Sequence, residues 1–171
     1  MQGLEFVAGW AGPGYFRRMN REPKNGDTLT PRSWAAFVAR TILGLIFFMA
    51  GLWKVFELGA VQHARGMFVE AYADTFLPAW SLWATGVAVP FVELAAGGLM
   101  LAGWQRRVAA LALGGVLILV TFGHLLAEPL YVFSAHVIPR TLLLVIDLLL
   151  LLFEDDRLSL DGWLARRTAP E

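Results

Sequence analysis

The 171-residue sequence contains no cysteine. That absence excludes disulfides, thiolate metal sites, iron–sulfur clusters and Cys-x-x-Cys redox chemistry on this chain. A redox role would therefore need a partner or a diffusible cofactor. Charge is scarce as well. Charged residues make up 16% of the chain, 14 basic against 14 acidic, so the formal net charge is zero. No basic tract stands out, and nothing in the balance favours a nucleic-acid partner. The sequence holds no Walker loop, dinucleotide fingerprint or zinc-protease motif. It also lacks an apolar core soon after a short basic start, the mark of a secretory signal. The first sustained apolar run begins near Trp34, after MQGLEFVAGWAGPGYFRRMNREPKNGDTLTPRS, and that leader reads as retained.

What is abundant is apolar surface. Hydrophobic residues make up 57% of the chain, and the mean hydropathy is +0.58. A soluble domain of this size is rarely so apolar, and the bilayer is the matching solvent. A helix needs about 20 apolar residues to cross a hydrocarbon core of about 30 Å. Residues 34–56, 81–103, 108–127 and the shorter 137–153 meet or approach that length. Pro90 and Pro139 do not argue against such helices.

The predicted fold is all-α: an integral membrane four-helix bundle over 34–153, between a leader (1–33) and a tail (154–171). Basic residues set its direction. Arg17, Arg18, Arg21, Lys24 and Arg32 precede the first span, and Arg106 and Arg107 sit between the second and third. Both termini are then expected in the cytoplasm. In the first outer loop, Met67, Phe68, Tyr72, Phe76 and Trp80 surround Glu70 and Asp74. This predicts an amphipathic helix lying on the outer surface of the bundle or membrane, with a packed connector as the alternative. Phe6, Trp10, Tyr15 and Phe16 allow the leader to rest on the inner interface.

The spans carry charges, and the charges fall on stripes. Residues three and four apart share a helical face. Arg40, Gly44, Phe47, Gly51 and Lys54 form one stripe, and Gly86, Pro90, Glu93 and Gly97 another. Gly114, Leu117, Thr121, His124 and Glu128 form the third, and Arg140, Asp147, Leu151 and Glu154 the fourth. Such stripes face protein, and small residues on them let helices approach closely. A bare charge at mid-bilayer costs at least ~2.5 to 3.5 kcal/mol, which favours pairing. Arg40, Glu93 and Asp147 are expected to form a buried network. Lys54, Glu57, His124, Glu128, His136 and Arg140 form a second layer nearer the outer interface, able to line a pocket or relay protons. The spacings fit no metal site, and the adjacent Lys54 and Arg140 disfavour a cation. The bland alternative is that paired charges only fix helix register and partner choice, with Lys54, Glu57 and Arg140 snorkelling to water.

The stretches RTILGLIFFMAGLWKVFE and PFVELAAGGLMLAGWQRRVAALAL resemble the DoxX family of four-helix membrane proteins and its DoxD relatives. The matching positions are Arg40, Leu43, Gly44, Ala50, Gly51 and Lys54 in the first helix. Glu93, Gly97 and Gly98 match in the second, and Gly103, Arg106 and Arg107 in the turn that follows. The resemblance covers roughly residues 37–153. DoxD-like members are described as the membrane subunit of a thiosulfate:quinone oxidoreductase. The resemblance implies an integral subunit of a quinone-linked redox system in a bacterial or archaeal cytoplasmic membrane, acting with a protein partner or as a homo-oligomer in lipid. The implied cofactor is a non-covalently bound quinone. Lys54, Arg40, Arg140 and Glu128 are then its candidate binding residues, and Glu93, Asp147 and His124 the candidate proton-exchanging ones. Two further roles stay open: a non-catalytic assembly subunit, or a small proton-coupled transporter working through Glu93 and Asp147. Four spans without an internal repeat argue against transport by a monomer.

Overall fold

The computed structural model describes residues 29–127 and 158–168, together with the helical positions Pro139, Leu142, Leu143, Val145, Ile146 and Leu149. The chain divides into Met1–Thr30 and Pro31–Glu171. Of the first unit only Leu29 and Thr30 are described, so most of the leader lies outside the described residues. In the second, every element among the described residues is helical. Helix α1 is Pro31–Leu52 and runs on through a π turn, Trp53–Glu57. Helix α2 is Ala60–Ala64 and runs on through a second π turn, Arg65–Glu70. Helices α3 (Ala79–Ala102) and α4 (Arg106–Ala127) follow, and α5 is Leu160–Thr168.

Three of these are long and apolar enough to cross a membrane: Pro31–Glu57, Ala79–Ala102 and Arg106–Ala127. They coincide with the first three predicted spans to within a few residues. Most of the fourth, 137–153, lies outside the described residues, but its described positions divide into an exposed helical face and one flanking residue that is packed. Leu142, Val145, Ile146 and Leu149 are exposed. Leu143 packs against the core.

That core is built from the stripes. Leu43 and Phe47 of α1 meet Ala96 and Met100 of α3 and Ala109, Ala110, Leu113 and Leu117 of α4. Glycine sets the spacing between α1 and α3. A Cβ on Gly51 would lie 2.5 Å from the Leu94 nitrogen, and one on Gly97 would lie 2.5 Å from the Phe48 nitrogen. The two backbones therefore touch, as small-residue stripes allow in a bilayer. Ile42, Ile46 and Met49 of α1 and Leu111, Ile118 and Phe122 of α4 point outward. Lipid is the solvent that tolerates so continuous an apolar surface.

The connector is helical over Ala60–Glu70, with His63 and Ala64 packed along α3 and Val61 and Met67 exposed on its other face, as both the amphipathic and the packed reading expect. His63 and Ala64 are buried, and a Cβ on Gly86 would lie 2.6 Å from the Ala64 Cα. Gly59, at φ +84°, ends the helical run of α1 with a turn that a residue bearing a Cβ adopts only under strain. The chain then stays against α3, with Tyr72 buried and Met67, Phe76 and Trp80 outside.

At the other end of α3, Gly103 (φ +67°) closes the helix. Its nitrogen donates to the Met100 carbonyl, and Trp104 donates to Leu99, a Schellman ending. Part of the predicted tail folds back here as α5. Asp161 accepts 3.0 Å bonds from the Gln105 and Arg106 backbone nitrogens, and its own nitrogen donates to Gly103 O at 3.1 Å. Its carboxylate thus caps the N-terminus of α4.

Candidate functional site

The site begins with a proline. Pro90 has no N–H, so the carbonyl one turn earlier, that of Gly86, loses its intrahelical donor. His63 of α2 supplies the bond instead, with Nδ1 2.8 Å from Gly86 O. The missing side chain at Gly86 is what lets α2 come close enough to do so. A carbonyl can only accept, so Nδ1 carries the proton. Burial pushes the His63 imidazole below its usual range; the Gly86 bond opposes this, the Lys54 charge adds to it and Glu93 opposes it. The neutral ring then offers Nε2 as an acceptor.

One turn beyond Pro90, Glu93 is buried. It is met by Lys54 from the π turn of α1, where Leu58 N bonds Trp53 O at 2.9 Å. A π turn inserts a residue and re-aims the side chains around it. Lys54 Nζ lies 2.9 Å from Oε1 and 2.6 Å from Oε2 of Glu93. The side chains are 21% and 7% exposed, respectively, so the pair is largely withdrawn from solvent.

These groups border one cavity of about 860 Å³ between α1, α2, α3 and α4. Lys54, Glu93, His63, Tyr72, Thr85 and His124 supply its polar edge, while Phe47, Trp53, Phe68, Leu82 and Leu117 make the rest apolar. His124, on α4, has Nδ1 2.8 Å from the Val120 carbonyl. An apolar chamber of this volume with a few convergent polar groups is the usual form of a small-molecule site.

Three predicted site residues, Lys54, Glu93 and His124, thus come together. Arg40 does not join them, and the predicted Arg40–Glu93 pairing is corrected. Arg40 is 2% exposed. It donates to the carbonyls of Met100, Leu101 (2.7 Å) and Leu158 (3.4 Å) and lies 5.4 Å from the Phe37 ring centroid. The cause is the antiparallel crossing of α1 and α3. Lys54 is about 21 Å along α1 from Arg40 at 1.5 Å per residue, so the lysine comes level with Glu93 and the arginine with Met100. Asp147, Arg140, Glu128 and His136 lie outside the described residues. His63 and Tyr72 were missed as site residues. The available signal for His63 was a glycine four residues before a proline inside a span, which leaves a carbonyl needing an external donor.

One sequence family, described as methylamine utilisation protein MauE, matches residues 32–137. The match runs from the first turn of α1 past the end of α4 and takes in every residue of the cavity described above. No curated protein and no solved structure matches the chain.

Proposed function

The chain belongs to the MauE family of membrane proteins, and from that premise we propose that it is the integral subunit of a quinone-linked redox system, working with a protein partner. The observation that carries the reading is the Lys54–Glu93 ion pair set in the wall of a largely apolar cavity. The cavity volume suits an aromatic ring with the start of an apolar tail. Lys54 engages both oxygens of Glu93 and, with three N–H donors, has capacity left for a ring oxygen. Glu93, held beside that oxygen, is placed to exchange a proton. A bound quinone would supply the electron-accepting chemistry that a cysteine-free chain lacks.

In this proposal Asp147 and His124 share the proton exchange with Glu93, and Arg140 and Glu128 join Lys54 in holding the ring. A fourth span completes the bundle, both termini face the cytoplasm of a bacterial or archaeal cell, and the partner carries any thiol or metal chemistry. A second reading, an assembly subunit, is favoured by Arg40, which ties α1 to the end of α3 and to Leu158 without facing the cavity. Native mass spectrometry of the protein taken from its own membranes in mild detergent separates the two. A retained quinone that is lost in Lys54→Met supports the redox subunit. A particle that carries partner protein but never quinone supports the assembly role.

A further inference from the structure

The cavity presents two unlike hydrogen-bonding groups on different elements. Lys54, from α1, can only donate. His63, from α2, has its Nδ1 proton engaged by the Gly86 carbonyl at 2.8 Å, and its side chain is buried. What His63 can offer a ligand is therefore Nε2, an acceptor. The ring is held in place by Phe68, 5.5 Å away between centroids, and by the α2–α3 contact at Ala64 and Gly86. It cannot turn to present its donor without leaving a buried carbonyl unbonded.

We propose that His63 makes this cavity selective for the reduced, hydroxyl-bearing form of an aromatic ring, a quinol, over the corresponding quinone. The inference rests on the cavity being a quinone-type site and adds which redox form it holds. A quinol serves both walls: the oxygen of one hydroxyl accepts from Lys54, and the O–H of the hydroxyl at the other end of the ring donates to His63 Nε2. A quinone carbonyl has only lone pairs, so at His63 it would face another lone pair and leave Nε2 without a donor. A site built to receive a hydroxyl proton rejects the analogue that lacks it more strongly than it rejects a change of bulk.

The test compares decylubiquinol, kept reduced, with decylubiquinone by titration calorimetry of the full chain in lipid nanodiscs. The wild-type protein is expected to bind the quinol roughly tenfold more tightly, the scale of one hydrogen bond to an otherwise unsatisfied group. His63→Phe should abolish the preference by weakening quinol binding, leaving quinone affinity within about twofold on the same scale. His63→Gln, whose amide oxygen can accept, should restore part of it. Equal binding of both forms by the wild type, or a preference that survives His63→Phe, overturns the role of His63 and leaves the cavity reading standing. Binding of neither form by the wild type overturns both.

Discussion

Gly86 and Pro90 stand one helical turn apart on α3, and the carbonyl that Pro90 cannot bond is the one that His63 holds at 2.8 Å. One local defect thereby becomes the docking point of a neighbouring element. Pro90→Ala restores an intrahelical donor to Gly86 O, so His63 must compete for it. Hydrogen exchange should quicken in residues 60–70 while α3 becomes better protected. Unchanged protection of that segment would mean that α2 is held by other contacts.

The α1–α3 crossing should be intolerant of a single methyl group. A Cβ at Gly51 would sit 2.5 Å from Leu94 N and 2.7 Å from its Cα, whereas one at Gly115 would meet nothing within 4 Å. Gly51→Ala is expected to destabilise by about 1–3 kcal/mol through overpacking. Gly115→Ala should be neutral or slightly stabilising, since alanine is the better helix former. Thermal unfolding in detergent checks both, and equal midpoints would contradict the crossing.

Lys54 and Glu93 should be costlier to separate than to remove together. Lys54→Met or Glu93→Leu alone leaves a largely buried charge without its partner, a loss of about 3–5 kcal/mol for well-buried pairs and less here because Lys54 is partly exposed. The double substitution should recover much of that loss. A double-mutant cycle in denaturant reads the coupling. Additive single effects would show that the pair contributes little beyond its two side chains.

His63 sets the sign of one pH effect. Burial lowers its folded pKa below the ordinary value of 6.5, so in acid the unfolded chain takes up its proton first. In that window the unfolded state binds more protons, and stability rises with pH. The contribution of His63 is complete above about pH 6.5 and declines as pH falls toward the folded value. Melting curves at mildly acidic and neutral pH should show a drop for the wild type that is smaller in His63→Gln. Identical drops would place the proton uptake elsewhere.

Much of the architecture was legible because it rests on local properties. An apolar run of about 20 residues is a membrane span whatever surrounds it, and the three described spans lie where composition put them. Stripe membership is equally local. The predicted buried faces of α1 and α3 contain Arg40, Gly44, Gly51, Gly86, Glu93 and Gly97, and all of these are buried. The connector between α1 and α3 was less legible, since its aromatic pattern fits a surface helix as well as a packed one.

What the sequence by itself determined is which residues face protein, because helical periodicity and the cost of charge in hydrocarbon act within one segment. Which cation meets which acid was decided only by tertiary structure. Arg40 and Lys54 lie on one face of the first span, and it is the close backbone contacts with α3 at Gly44, Gly51 and Gly97 that set the level at which Glu93 arrives. The same holds for His63. Its place in the cavity depends on a carbonyl freed by a proline in another helix, a hydrogen bond between segments that no pattern within either one specifies.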